Sequence, residues 1–139
     1  MNTMQKRGCQ ILVLLTTAGM LTGCGGGTPK LEDALKKTAA YEQKTVSSPA
    51  SDTLGGEWTV IALARSGEKV DDMYFEKYRA SLEKKVKDQN GVLSDNRYTE
   101  YSRAVLALKS IGKDPTDIGG YDIEKPLEDF DTVVAQGLN

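Results

Sequence analysis

Histidine is absent from this 139-residue chain. That removes the commonest general base, the commonest zinc ligand and the usual pH switch. Cysteine occurs only twice, at Cys9 and Cys24. The chain beyond Cys24 therefore holds no thiol for a disulfide, a nucleophile or a metal site. Aromatic residues make up 6%, with one tryptophan, so large aromatic anchors are few. A surplus of either charge is missing too: 18 Lys and Arg face 20 Asp and Glu, a net charge of −2. The cations do not gather on one stretch, and no electrostatic footprint for nucleic acid results. The apolar run Ile11 to Leu21 is too short to span a bilayer as an ordinary transmembrane helix. No metal ligand set, cofactor or catalytic constellation is expected from these counts.

What remains is ordinary for one soluble domain: 27% charged and 39% hydrophobic residues. The first residues form a separate segment. Lys6 and Arg7 give a basic start, Ile11 to Leu21 an apolar centre, and LTGC, Leu21 to Cys24, closes it. This arrangement resembles the signal peptide and lipobox of bacterial lipoproteins. The resemblance implies that residues 1–23 are removed and that Cys24 becomes the lipidated (palmitate-bearing) N-terminus. An ordinary secretory peptide cut at the same small residues is the other reading. Residues 24–30 carry GGGTP, a short flexible tether. The mature chain, Cys24 to Asn139, loses two of the 18 cations and none of the 20 acids, which leaves −4. A mildly acidic domain has little affinity of its own for an anionic membrane. Its lipid would have to hold it on the extracytoplasmic face.

Residues 31–139 read as all helical. Leu31 to Lys44 has an apolar stripe at Leu31, Ala34, Leu35, Thr38 and Ala39, and Glu32–Lys36 and Asp33–Lys37 pairs at the favourable spacing. Ser47, Ser48, Pro49 and Ser51 end it. Trp58 to Arg65 is apolar around its circumference, as in a helix buried on all sides, and Gly67 suits a C-terminal cap. A buried strand is the alternative for so short a run. Asp71 or Asp72 starts a third helix to about Lys87, with Tyr74, Phe75, Tyr78, Leu82 and Val86 on its apolar face. Glu76, Lys77, Glu83, Lys84, Lys85 and Lys87 form a solvated face. Asn90-Gly91 is a turn. Thr99 is expected to cap a fourth helix, Glu100 to Ile111, with Val105, Leu106 and Leu108 inward and Gly112 closing it. KDPTDIGG is a loop. Pro126 to Gln136 is a fifth helix, with Leu127, Phe130, Val133 and Val134 on one side.

VIALARSG, Val60 to Gly67, and VLALKSIG, Val105 to Gly112, share four of eight residues at an offset of 45. Each is followed by a polar stretch and an amphipathic helix, the pattern of an α/α repeat array. A small helical bundle with a chance match is the alternative. GGEWTVIALARSG, YTEYSRAVLALKSIGKDPTDIGGYD and PLEDFDTVVAQGLN resemble the squalene-cyclase/prenyltransferase-type repeats of bacterial surface and secreted proteins. The likeness covers about Leu54 to Asn139. It implies an α/α toroid, an architecture shared with vitamin B12 carriers, in which buried helices form the inner layer and amphipathic ones the outer. The catalytic motifs do not carry over. Asp71-Asp72 and Asp129-Phe130-Asp131 are the nearest pieces to the DxDD of terpene cyclases, and neither fits. The Asp, Cys, His zinc set of protein prenyltransferases is missing. A third copy, 45 residues on, would begin near residue 150, beyond Asn139. The expectation is a truncated array with an apolar fifth helix that is exposed or covered by a partner.

In a toroid, residues near the starts of inner helices line the central cavity. Glu57, Trp58, Tyr101 and Arg103 are the candidate ligand contacts on this basis. The competing role is core packing for Trp58 and Tyr101, and first-turn stabilisation of the helix dipole for Glu57 and Glu100. Three functions compete. The favoured one is a membrane-anchored module binding a small amphipathic, cobalamin-like ligand or a partner protein. The others are a cyclase-like enzyme whose catalytic half lies elsewhere, and a non-functional remnant.

Overall fold

A computed structural model describes residues 30–51, 53 and 55–137. The expected signal segment 1–23 and the lipidation residue Cys24 lie outside the described residues. The chain divides into two compact units, residues 1–34 and 35–139. Of the first, only Lys30 and the opening turn of a helix are described. Among the described residues, five α-helices appear in order: α1 Leu31–Thr45, α2 Gly56–Arg65, α3 Asp72–Asp88, α4 Thr99–Ser110 and α5 Phe130–Gly137. A 3₁₀ turn at Lys125–Leu127 precedes α5. Among the described residues the only strand-like pairing is one bridge, Ile118 to Tyr121. The architecture is all-α. No helix among the described residues is long and apolar enough to cross a membrane.

Helix α3, with 17 residues, is the longest helix among the described residues. Tyr74, Tyr78, Leu82 and Val86 recur every four residues, and all four are buried. The Met73 N–H donates to the Asp71 carboxylate at 3.0 Å, so Asp71 is the N-cap. The opposite face carries a ladder of ion pairs. Arg79 holds Glu76 at 2.8 Å and Glu83 at 2.7 Å, Lys87 holds Glu83 at 2.6 Å, and Lys84 pairs with Asp88. These lie in water and contribute little each. The helix ends at the Asn90-Gly91 turn, where both residues take positive φ (50° and 88°) and the Gly91 N–H donates to Val86 O at 2.8 Å.

Helices α2 and α4 pack directly against each other. Both end in glycines of positive φ, Gly67 at 75° and Gly112 at 70°. At the second, the Lys113 N–H donates to Leu108 O at 2.9 Å and the Gly112 N–H to Lys109 O at 3.2 Å, which satisfies the final carbonyls.

Several expectations are corrected. Helix α2 is not buried on all sides. It buries Gly56, Glu57, Thr59, Val60 and Leu63, while Trp58 and Ala62 are exposed. In α4 the inward face is Tyr101, Ala104, Ala107 and Leu108; Val105 is half-buried and Leu106 exposed. Small alanines face the neighbouring helix because they let the two backbones approach, which outweighs the larger bulk of Leu106. Thr99 does not cap α4 with its side chain; the helix opens through a tight turn in which the Glu100 N–H donates to Arg97 O. In α1 the stripe is largely unburied: Ala39 is the one fully buried residue, and Leu31 and Leu35 are exposed. The fifth helix begins later than expected. Asp129 starts it by accepting the Thr132 N–H at 3.1 Å and the Thr132 hydroxyl at 2.7 Å, which separates Pro126 into the 3₁₀ turn.

The stretch KDPTDIGG is more than a connection. Asp114 accepts the Thr116 N–H at 2.9 Å and its hydroxyl at 2.8 Å; Asp117 accepts the Gly120 N–H at 3.2 Å; Asp122 accepts the N–H groups of Glu124 and Lys125, both at 3.0 Å. Three aspartates in turn replace a helix's hydrogen bonds. The loop thereby inserts Pro115, Ile118 and Ile123 into the core. The Tyr121 ring fills the space that a side chain at Gly91 would need, its nearest atom 2.5 Å from where a Cβ would sit.

Candidate functional site

Pairing α2 with α4 brings their first turns to one place. Between them lies a cleft of about 580 Å³ lined by Thr53, Gly55, Glu57, Trp58, Arg97, Glu100 and Arg103. That volume lies within the range of small-molecule sites. Two shallower hollows, of about 350 and 310 Å³, run along the solvated face of α3 and are lined by that helix and the residue after it.

Local sequence explains the cleft's floor. Gly55 takes φ of 80°, a conformation open to glycine at no steric cost. The chain turns there and α2 begins at once, with the Gly56 N–H bonded to Thr53 O at 3.0 Å and the Thr59 N–H to Gly55 O at 2.7 Å. Glu57 and Glu100 both stand in first turns, where the helix dipole favours a carboxylate. Both are nearly fully buried, each 4% exposed. Buried carboxylates require partners. Glu100 has two cations: Arg97 at 2.5 Å, one turn earlier, and Lys85 at 3.5 Å, from α3. The second pair ties α3 to the cleft wall. Glu57 is also engaged.

Arg103 sits one turn along α4 from Glu100 and is half-buried. Its Nε is buried and has no hydrogen-bond partner among the described residues. Trp58, on the next position after Glu57, is 57% exposed at the rim. The cleft thus combines an apolar ring, two arginines and two acids.

Three of the four expected contacts, Glu57, Trp58 and Arg103, line this cleft. The fourth, Tyr101, does not. It is buried in the core, its ring 5.6 Å from that of Tyr98, and its hydroxyl accepts the Leu93 N–H at 2.9 Å. One residue separates Glu100 from Tyr101, and one step around a helix turns a side chain by about 100°. Sequence reasoning missed Thr53, Gly55, Arg97 and Glu100 as lining residues. Arg97 had a signal: it lies three residues before Glu100, the spacing of an ion pair across one turn. Among the described residues no group of carboxylates, cysteines or histidines is arranged to hold a metal ion.

No protein-family model matches the chain, and neither does any curated protein or solved structure.

Proposed function

We propose that this chain is a membrane-anchored extracytoplasmic lipoprotein whose helical domain is part of an α/α-toroid array and binds a ligand rather than catalysing a reaction. The observation that carries the binding reading is the cleft itself: Glu57, Trp58 and Arg103, chosen as residues near the starts of inner helices, line one concavity. The array reading is supported by the direct packing of α2 on α4 and by their closing glycines, Gly67 and Gly112, 45 residues apart. A bundle without repeats shares the first of these features but has no reason for the second. The anchor rests on LTGC and the basic, apolar stretch before it.

A partner protein is the second reading of the bound species. On α5, Phe130 and Val134 are exposed, at 75% and 46%, and a partner's apolar surface would cover them.

Growth with labelled palmitate tests the anchor. The wild-type chain takes up label and enters the membrane fraction; Cys24→Ala takes up none. Label retained by Cys24→Ala would end the lipoprotein reading. Melting of the full-length chain with a panel of amphipathic small molecules tests the binding. A ligand at 100 times its Kd raises stability by about 2.7 kcal/mol. A panel that raises the melting temperature of wild type and of Trp58→Ala equally argues against the cleft.

A further inference from the structure

Among the described residues, Arg103 is the charged side chain of the cleft whose buried Nε has no hydrogen-bond partner. Glu100 is already held by Arg97 and Lys85. The Arg103 Nε is buried and has no hydrogen-bond partner among the described residues. A guanidinium does not shed its proton in a protein. Arg103 lines the cleft, so its positive charge is met there by solvent or by a ligand. Buried donors in native structures nearly always find an acceptor.

The shape of the missing acceptor follows from the donor. A guanidinium presents a planar fork that two oxygens of one oxyanion match. Glu57 lines the same cleft with a second, buried carboxylate. That charge disfavours a dianion and leaves a monoanion as the better fit. Arg97, 63% exposed in its side chain, adds positive potential at the mouth. Trp58 offers the one large apolar surface of the cleft, more than half of it open. An apolar body placed on the indole loses its contact with water while its head group remains on the arginine.

We propose that the cleft binds a monoanionic amphiphile, with Arg103 holding the oxyanion and Trp58 covering the apolar body. This rests on the reading of the cleft as a ligand site and names its ligand class. Oxyanions of two kinds share the chemistry, a carboxylate with an apolar tail and a bare phosphate, and the test separates them.

Trp58 is the sole tryptophan of the chain, so tryptophan emission reports from the cleft alone. The full-length chain is titrated with hexanoate, with hexanol and with inorganic phosphate. Hexanoate changes the emission at about tenfold lower concentration than hexanol, the difference a charge-assisted hydrogen bond makes. Inorganic phosphate, lacking a tail, leaves the emission unchanged over the same range. Arg103→Gln brings hexanoate to the level of hexanol. Arg103→Lys, which keeps the charge and loses the fork, falls between. Circular dichroism checks that both variants retain their helices, and the hexanoate-to-hexanol ratio in wild type decides the matter if one of them unfolds. Equal titration by hexanoate and hexanol in wild type overturns the proposal and leaves the cleft a ligand site. Phosphate as effective as hexanoate overturns the part assigned to Trp58. No response to any probe by the folded chain removes the ligand-site reading as well.

Discussion

Gly56→Ala sets two effects of opposite sign against each other. Gly56 is the first residue of α2, and its φ is not positive. Helix propensity alone favours alanine there by about 0.5–1 kcal/mol. The surroundings oppose it. A Cβ at Gly56 would lie 2.1 Å from Ala50 O and 2.6 Å from Thr53 Oγ1, both inside the 3.0 Å limit that real Cβ atoms respect. The Thr53 hydroxyl can rotate away, but the Ala50 carbonyl cannot move freely. It accepts the Thr53 hydroxyl at 2.7 Å and the Thr53 N–H at 3.4 Å, so retreat by nearly 1 Å opens the turn that leads into α2. Overpacking of this kind costs about 1–3 kcal/mol, and more against backbone than against a side chain. Sterics win by a margin of about 1–2 kcal/mol, which corresponds to a melting temperature about 5–15 °C lower in a domain of this size. Urea denaturation of the full-length chain, followed by circular dichroism, measures it. Trp58 emission should shift in the native baseline as well, since the rearranged turn borders the cleft. A variant as stable as wild type, or more stable, would refute the steric argument and leave propensity in control.

Tyr74→Phe should be neutral or stabilising at pH 7, by up to about 1 kcal/mol, because it removes a buried hydroxyl that has no hydrogen-bond partner. Burial, and then the charge of Glu42, push the Tyr74 phenol up to about 12. A raised phenol pKa means stability that is present below the unfolded value near 10 and lost as pH rises through the folded value. Wild type should therefore lose stability between about pH 10 and 12 more steeply than Tyr74→Phe, and parallel denaturation curves would sink the idea. Asp114 is held below the ordinary carboxylate range by the Thr116 N–H and then by the Thr116 hydroxyl. A lowered carboxylate contributes stability above its unfolded pKa, near 4, and gives it up as pH falls through its folded value. Asp114→Asn keeps an acceptor for Thr116 and should flatten the acid limb of stability against pH; an unchanged slope between pH 5 and 2 counts against the assignment.

The legible parts of the fold were those in which one periodic signal had one consequence. Tyr74, Tyr78, Leu82 and Val86 on a four-residue period specify the buried face of α3, and Asp71 ahead of them specifies its start. In α2 and α4 there is no such contrast. Every side of VIALA and VLAL is apolar or small, so composition does not say which side meets a neighbour. Packing decides, and close approach selects Ala104 and Ala107 over Leu106. The loop after Gly112 was opaque for another reason. Its order comes from aspartates bonding backbone N–H groups two or three residues on, a pattern without hydrophobic period, so Ile118 and Ile123 were not recognisable as core. The cleft was partly legible because first-turn position is a property of the chain. Which first-turn residues face it depends on rotation about the axis, and Tyr101 fell on the wrong side by one step.

The same rotation bears on the repeat. Matching VIALARSG to VLALKSIG by identity sets Ala62 opposite Ala107 and Val60 opposite Val105. The structure buries Ala107 completely and leaves Ala62 exposed; it buries Val60 completely and Val105 by half. Equivalence in sequence is therefore not equivalence in environment, and the pair Ala62→Glu and Ala107→Glu separates the two. At Ala62 a glutamate side chain reaches water, and a surface substitution of this kind stays within about 0.5 kcal/mol. At Ala107 it must bring a carboxylate against α4's packed face with no partner provided, a cost of several kcal/mol that a domain of marginal stability does not survive. Denaturation midpoints of the two variants give the answer. Comparable loss at both positions would mean that Ala62 is covered in solution, as a further copy of the repeat or a partner stacked on α2 would cover it. Loss at Ala107 alone would mean that the two helices share a sequence pattern but present different faces to the core.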